Sequence, residues 1–377
     1  MKLRRSFVTA IALVALLHFY IWQRLLGDLG AGLFGTVLGS GLLIASTVLI
    51  PLSMASRSFE RHTADRIAWV GYFFMGAFST FFVVTLLRDI ALLVAWPFAG
   101  ERMPEWRLLS ARTAVLTAAA ITLIGFINAR RRARVVETEI PIENLPDALH
   151  GFSIAQISDV HVGATIKRSY VEAIVAAVNE LDADAIAITG DVVDGSVRDL
   201  AEHVAPLGNL RARHGTFFVT GNHEYYSGEP QWTHEFRRLG LTVLMNEHVA
   251  LKHGKGTLVL AGVTDYSAHH FNPEQRSDPE RALAGAPHSH AKVLLAHQPR
   301  SAAAAAAAGF DVQLSGHTHG GQFWPWNHFV RFQQPYTAGL HRLNQLWIYI
   351  SRGTGYWGPP KRFGAPSEIS LLRLVKR

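Results

Sequence analysis

Residues 311–320 read DVQLSGHTHG, an apolar run that ends in two histidines one residue apart, bounded by glycines. Glycine on both sides disfavours a continued strand, so we expect His317 and His319 to lie in a loop directly after a buried strand. Two imidazoles brought to one point are typical of a metal site. This stretch alone leaves open the alternative of two ordinary surface-loop histidines.

The same pattern recurs at four earlier places in the chain, where a short aliphatic run ends in side chains that bind metals. The runs are FSIAQISDVH, ending in Asp159 and His161; DAIAITGDVVD, with Asp191 and Asp194; GTFFVTGNHE, with Asn222, His223 and Glu224; and KVLLAHQP, with His297. Helical patterns such as RSYVEAIVAAVNEL lie between some of them. Strands that alternate with helices predict an α/β fold.

Ligands of open α/β sheets bind beyond the carboxyl ends of the strands, and each polar cluster lies at such an end. Each cluster alone has an ordinary explanation as a turn, a helix cap or a satisfied histidine. The ordered conjunction of all five favours one site on which the five sets of side chains converge.

Cysteine is absent, so the ligands of a metal must be His, Asp, Glu or Asn, which suit manganese, iron or zinc. Two divalent ions close together repel each other, and a carboxylate between them offsets that repulsion. Asp191 is the natural candidate for this position. A metal pair can activate water and clamp a phosphoryl group.

The order D-x-H, G-D-x-x-D, G-N-H-E, H, G-H-x-H resembles that of the calcineurin-like metallophosphoesterase superfamily. The resemblance covers residues 151–375 and implies a four-layer α/β/β/α sandwich. It also implies a phosphoric ester hydrolase with two divalent metal ions, manganese first and iron or zinc as alternatives. GHTHGGQ at 316–322 and the tail SRGTGYWGPPKRFGAPSEISLLRL resemble the membrane-associated branch that includes UDP-2,3-diacylglucosamine pyrophosphatase-like enzymes.

The resemblance also implies roles for individual residues. One metal would be held by Asp159, His161, Asp191 and His319, and the other by Asp191, Asn222, His297 and His317. His223 would stabilise the phosphoryl charge or protonate the leaving oxygen, with Asp194 orienting its ring. Gly195 stands where protein phosphatases of the superfamily carry a phosphate-gripping Arg, which favours a phosphodiester or pyrophosphate bond over a phosphoprotein.

Histidine and charge are unevenly distributed along the 377 residues. Of the 19 histidines, 17 follow residue 149, where the expected chemistry lies. Residues 150–377 hold 21 Lys and Arg against 19 Asp and Glu, a net charge of only +2. This balance argues against a nucleic-acid-binding surface.

The first part of the chain is predicted to span a membrane. Four stretches contain no Asp, Glu, Lys or Arg: residues 6–23, 29–52, 67–87 and 113–129. A spanning helix needs about 20 apolar residues, and four such stretches leave no polar face for water. Arg88 and Asp89 are interpreted as an ion pair at the membrane interface, with the helix continuing beyond them.

The distribution of Lys and Arg predicts that both termini lie in the cytoplasm of a multi-pass protein of the cell (inner) membrane. The cytoplasmic side would carry Lys2, Arg4, Arg5, Arg57, Arg61, Arg66, Arg130, Arg131, Arg132 and Arg134, against Arg24, Arg102, Arg107 and Arg112 opposite. The alternative is export through a twin-arginine signal, because Arg4 and Arg5 precede an apolar run.

The predicted organisation is a transmembrane domain of about four helices at 1–134, a linker at 135–150 and a metallophosphoesterase domain at 151–377. The predicted function is a membrane-anchored, dinuclear metal-dependent hydrolase of a phosphodiester or pyrophosphate bond, with a lipid-linked substrate such as a UDP-acyl-glucosamine as one candidate. The alternative is a membrane sensing or transport module that carries a regulatory metal-binding domain. Trp324, Trp326, Tyr356 and Trp357 are candidates for a substrate pocket or for ordinary core packing. Arg331, Arg352, Lys361 and Arg362 are candidates for contacts with substrate phosphates, but most of them are expected on a solvated basic face. The oligomeric state is left open.

Overall fold

The computed structural model of the chain describes residues 2–55 and 60–377, and the side chains of residues 8–55, 60 and 62–377. Arg57, counted above among the basic residues, lies outside this part. The chain forms two compact units, one of residues 1–128 with 358–361 and the other of residues 129–357 with 362–377.

The first unit is helical. Its long helices are α1 (Lys2–Ile21), α2 (Gly32–Met54), α3 (Arg61–Ala99) and α4 (Met103–Arg130). A π-helical segment, Trp22–Leu26, and the short helix Gly27–Leu29 extend α1. Gly100, with φ 50°, ends α3. Each predicted apolar stretch falls on one of these helices.

Three helical stretches are long and apolar enough to cross a membrane: Val8–Leu29, Gly32–Met54 and His62–Arg130, the last of which contains both α3 and α4. Leu33, Phe34 and Phe98 are more than 80% exposed, which suits side chains that face lipid. Helix α3 continues through Arg88, whose guanidinium contacts the carboxylates of Asp89 and Asp28.

The second unit contains two six-stranded sheets. Its strands are β1 (Arg134–Ile142), β2 (Ser153–Ile157), β3 (Ala185–Ile188), β4 (Thr216–Phe218), β5 (Thr242–Val243), β6 (Glu247–His253), β7 (Gly256–Gly262), β8 (Ala291–Leu295), β9 (Val312–Ser315), β10 (Gly339–Leu343), β11 (Leu346–Ile350) and β12 (Glu368–Lys376). Its helices are α5 (Arg168–Asn179), α6 (Val197–Val204), α7 (Asn222–Ser227), α8 (Glu229–Arg238), α9 (Pro279–Ala282) and α10 (Ala302–Ala307).

The strand order is β1-β12-β2-β3-β4-β5 in the first sheet and β10-β11-β9-β8-β7-β6 in the second. Strands β2, β3 and β4 are parallel neighbours, as are β7, β8 and β9. These central strands are short and buried on both faces, which explains why they read as continuous apolar runs in the sequence.

Three apolar cores separate four layers. The middle core packs the sheets against each other and contains Phe217 of β4 and Leu295 of β8. An outer core packs α5, α6 and α8 on the first sheet, and another packs α9 and α10 on the second. The predicted α/β/β/α sandwich, preceded by an all-α region, is therefore confirmed.

The structure corrects the prediction of a linker at 135–150. Strand β1 occupies the first half of that segment and pairs in parallel with β12 over nine residues. Glu137, Glu139 and Pro141 made the segment look like a loop, but its alternate residues Ile140 and Ile142 are buried in the middle core. Period-two burial is expected of an edge strand with one covered face.

Candidate metal centre

The predicted site residues all follow the central strands at their carboxyl ends. Asp159 and His161 follow β2, Asp191 and Asp194 follow β3, Asn222 and His223 follow β4, His297 follows β8, and His317 and His319 follow β9. The two sheets therefore contribute to one edge of the sandwich, as the pattern of the sequence predicted.

Backbone contacts hold the loops after β2 and β3 together. The amides of Asp159 and His161 donate to the carbonyls of Gly190 and Asp191, at 3.0 and 3.1 Å. Five site residues adopt left-handed backbone conformations: Asp159, His161, Asp191, His317 and His319, with φ between 52° and 70°. Such conformations are uncommon outside glycine and concentrate at functional sites.

One group of candidate ligands consists of Asp159, His161 and His319, all buried. The Nε2 atoms of His161 and His319 face each other at 3.0 Å, and Asp159 Oδ1 lies 3.4 Å from His319 Nε2. A carboxylate oxygen of Asp194 lies 3.1 Å from His161 Nδ1, so this nitrogen donates and Nε2 keeps its lone pair.

A second group consists of Asp191, His297 and His317. His297 Nδ1 donates to the carbonyl of Thr189 at 2.7 Å, so Nε2 is the nitrogen that faces the other two residues of the group. That Nε2 lies 3.0 Å from Asp191 Oδ2 and 3.1 Å from His317 Nδ1. The carboxylate of Asp191 also lies 4.0 Å from His161 Nε2, so it stands between the two groups.

Asn222 supplies independent support for a cation site. Its Oδ1 atom is buried and has no hydrogen-bond partner among the described residues. An unsatisfied buried carbonyl costs about 1–3 kcal/mol, so native structures rarely keep one. With the facing imidazole nitrogens, this orphaned acceptor fits hard or borderline divalent ions bound through oxygen and nitrogen.

His223 lies beside these groups and is held by Asp194. Its Nδ1 lies 2.5 Å from Asp194 Oδ1, and its backbone amide donates to Asp191 Oδ1 at 2.8 Å. His161, Asp194 and His223 are also close enough to hold a metal. The short contact with Asp194 uses His223 Nδ1, so only Nε2 is free to exchange a proton with a ligand.

The buried charges perturb one another strongly. Burial alone would lower the pKa of His223, but Asp191 and Asp194 raise it to about 9. Burial lowers the pKa of His317 to about 4, and His297 adds to this effect. His297 shows the opposite result, because Asp191 raises its pKa well above the ordinary value despite burial. Clustered shifts of this kind are typical of functional sites.

Glu224 and Arg362 take part in the site in ways that the sequence did not predict. Glu224 is fully buried, and its two carboxylate oxygens accept from the amides of Gly221, Asp191 and Val192 at 2.7–2.9 Å. It therefore joins the loops after β3 and β4 rather than facing the centre with Asn222. The capping-box position of Glu224, three residues into a helix that begins after Gly221, was the available signal.

Arg362 was expected on a solvated basic face, but it is fully buried. Its guanidinium donates to the carbonyls of His319 and Arg352 at 2.8 Å and lies 3.1 Å from His319 Nδ1. Because a guanidinium only donates, Nδ1 is the acceptor and the neutral ring carries its proton on Nε2. Binding of a cation at Nε2 would therefore require the tautomer with its proton on Nδ1, which the facing guanidinium opposes. No local pattern in the sequence predicts this contact.

Comparisons with known proteins agree with the geometry. Residues 152–321 match the calcineurin-like phosphoesterase family. A "Transmembrane protein with metallophosphoesterase domain" of Bos taurus is 36% identical over 309 residues, covering 78% of this chain and 69% of the relative. An "Uncharacterized metallophosphoesterase" of Helicobacter pylori is 40% identical over 258 residues, covering 67% of each chain.

A second "Transmembrane protein with metallophosphoesterase domain", from Danio rerio, is 37% identical over 269 residues, or 69% of this chain. The matched region spans 62% of the length of that relative.

Proposed function

We propose that this chain, which belongs to the calcineurin-like phosphoesterase family, is a membrane-anchored, dinuclear metal-dependent hydrolase of a phosphodiester or pyrophosphate bond. The observation that carries the proposal is the pairing of two buried ligand groups around Asp191 with His223 beside them. Homologues named as transmembrane proteins and the long apolar helices support the membrane anchor.

The proposed ligands are those of the two groups, completed by Asp191 in the first group and by Asn222 in the second. Bound divalent ions would supply Lewis acidity, which activates water and neutralises the phosphate. Manganese is the first candidate, with iron and zinc as alternatives. Members of the family are metal-dependent, which agrees with this set of ligand atoms. The identity of the ion is part of the proposal.

In the proposed reaction water bonds to phosphorus through its oxygen and releases one proton to solvent, and the bond from phosphorus to the leaving oxygen breaks. The electron pair of that bond stays on the leaving oxygen, and His223 transfers the proton of Nε2 to it. Asp194 holds the ring and stabilises its charged form through the 2.5 Å contact at Nδ1. Gly195, in place of a phosphate-gripping Arg, favours a phosphodiester or pyrophosphate over a phosphoprotein.

The proposed substrate is lipid-linked, with a UDP-acyl-glucosamine as one candidate, because the anchor keeps the site close to a bilayer. The tail of the chain supports this finer assignment through its resemblance to UDP-2,3-diacylglucosamine pyrophosphatase-like enzymes. The catalytic unit is proposed to lie in the cytoplasm, at the inner membrane.

The test is a substrate panel on the detergent-purified full chain, supplied separately with Mn²⁺, Fe²⁺ and Zn²⁺. The panel holds UDP-acyl sugars, phospholipids and bis-p-nitrophenyl phosphate, each with and without lipid vesicles. We expect metal-dependent hydrolysis that is faster for lipid substrates in vesicles and that is lost in His223→Gln. Equal rates on lipid and soluble compounds would refute the lipid assignment, and absence of any metal-dependent hydrolysis would refute the function itself.

A further inference from the structure

Two aromatic side chains stand directly against His223. The ring centroids of Tyr226 and His223 are 5.3 Å apart with an interplanar angle of 73°. Those of Trp357 and His223 are 5.6 Å apart at 75°. Both aromatic side chains are 55% exposed. His223 thus lies between the buried ligands on one side and two half-exposed rings on the other, since His161 packs against it at 4.7 Å.

Trp357 is fixed in place by the loop that carries His317 and His319. Gln322 in that loop accepts from the amide of Trp357 and donates to its carbonyl, both at 2.9 Å. Gln322 is itself only 8% exposed and adopts φ 58°, an uncommon conformation for a residue other than glycine. A strained, buried residue that holds an exposed tryptophan by two hydrogen bonds indicates a functional position.

Tyr226 is fixed by the helix that starts at Asn222. Its ring also packs against Phe271, with centroids 5.5 Å apart, and Phe271 is 49% exposed. Neither the hydroxyl of Tyr226 nor Nε1 of Trp357 makes a hydrogen bond within the part of the chain that the structure describes. Rigid aromatic side chains with free polar tips are typical of ligand contacts rather than of packing.

The sequence had left Tyr356 and Trp357 undecided between pocket and core. The structure separates them: Tyr356 is 1% exposed and belongs to the first outer core, whereas Trp357 points its ring at His223.

We infer that Tyr226 and Trp357 form a leaving-group subsite for a planar aromatic ring carried by the departing alcohol. The inference rests on the proposed function, because His223, the proton donor in that function, locates the departing oxygen. A ring attached within a few bonds of this oxygen lies at van der Waals range of both aromatic side chains. Aromatic stacking tolerates any planar ring, so phenols and nucleosides share the required chemistry.

The test compares two diesters whose leaving alcohols are similar in acidity but differ in shape, methyl phenyl phosphate and methyl hexafluoroisopropyl phosphate. Both are offered to the metal-loaded full chain, and kcat/KM is measured for each. We expect Trp357→Leu and Tyr226→Leu to lower the ratio of the phenyl to the fluoroalkyl ester about tenfold, since base–aromatic stacking contributes about 1–3 kcal/mol. Trp357→Phe and Tyr226→Phe should keep most of the ratio.

Phe332→Leu is the matched control, because Phe332 is 74% exposed and has no part in the centre. It should leave both rates unchanged. A third diester with a thymidine leaving group distinguishes nucleosides from simple phenols by its kcat/KM in the wild type. Turnover with a ratio unchanged in both leucine variants would overturn the subsite alone. Absence of turnover of every diester would overturn the proposed function and the subsite together.

Discussion

At the scale of single residues, the centre contains buried polar atoms that are placed to bind a cation. Asn222 is the simplest case, because its buried Oδ1 has no partner among the described residues. We expect Asn222→Ala to leave the melting temperature unchanged or higher in a chelator, since it removes an unsatisfied acceptor. With metal present, affinity should fall about tenfold or more, measured by titration calorimetry and by the metal-dependent rise in melting temperature.

Asn179 provides the control for this prediction. Its side chain donates to the carbonyl of Asn209 and accepts from the amide of Arg211, each at 2.9 Å. Asn179→Ala should therefore lower the melting temperature equally with and without metal, by an amount equivalent to about 1–2 kcal/mol. Destabilisation of Asn222→Ala in the chelator, matching that of Asn179→Ala, would contradict the role given to Asn222.

The common location of the proposed site residues could be predicted because each follows a strand that is short and buried throughout. The contacts of Arg362 and Trp357 could not, because they depend on segments more than 30 residues away in the chain, at His319 and Gln322. A periodic pattern reports which face of an element is buried, but not which distant loop covers that face.

At the scale of elements, Glu224 couples two strand ends. Its oxygens accept three backbone amides from the loops after β3 and β4, and it lies among buried atoms. Glu224→Gln places an amide NH₂ where an acceptor is required. We expect a loss of about 2 kcal/mol or more in unfolding free energy and weaker metal binding through displaced Asp191. Thermal unfolding of the purified chain, with and without metal, measures both effects.

Glu172 serves as the comparison for Glu224. It forms an exposed i,i+4 ion pair with Arg168 and is about half exposed. Glu172→Gln should change the unfolding free energy by about 0–1 kcal/mol, as exposed ion pairs do. Similar effects of the two substitutions would show that Glu224 does not join the loops.

Strand β1 gives a second prediction at this scale. Ile140 is fully buried in the core between the sheets, so Ile140→Ala should lower the unfolding free energy by about 2–5 kcal/mol. Val135, in the same strand, is 40% exposed, and Val135→Ala should cost about 0.5 kcal/mol or less. Chemical denaturation of both variants measures the difference. Indistinguishable stabilities would mean that residues 135–150 behave as the linker suggested by their polar composition.

The difference in burial between β1 and β2 explains why β2 was predicted as a strand and β1 was not. Strand β2 is buried on both faces and reads as a continuous apolar run. Strand β1 lies at the sheet edge, and its partner β12 begins at Glu368, more than 200 residues later. Edge strands carry charged residues that also suit loops, so only the pairing itself identifies them.

At the scale of the whole molecule, the length and periodicity of the apolar runs predicted both the α/β arrangement and the long helices of the membrane anchor. Short runs bounded by polar clusters became strands of two sheets, and runs near 20 residues became α1–α4. The strand order could not be predicted, because β12 inserts between β1 and β2 from the far end of the chain.

The orientation in the membrane is the prediction that belongs to this scale. Four membrane-crossing helices would place both ends of the helical unit on one side, and the basic run after α4 favours the cytoplasm for that side. A phosphatase reporter that is active only outside the cytoplasm, fused after Arg377, should therefore stay inactive, and a cytoplasmic fluorescent reporter there should be bright. Replacing Arg131, Arg132 and Arg134 by Gln should raise the fraction of inverted chains. The replacement removes the positive charge next to α4 that favours a cytoplasmic location.

Gln substitutions at Arg102, Arg107 and Arg112 are the control, because these residues lie at the opposite end of α4 or just before it. They should leave the reporters unchanged or strengthen the cytoplasmic signal, since positive charge outside opposes the proposed orientation. An active phosphatase after Arg377 in the wild type would place the metal centre outside the cytoplasm. The substrate would then have to be sought among phosphoesters exposed at the outer face of the membrane, and the twin-arginine interpretation of Arg4 and Arg5 would gain its first support.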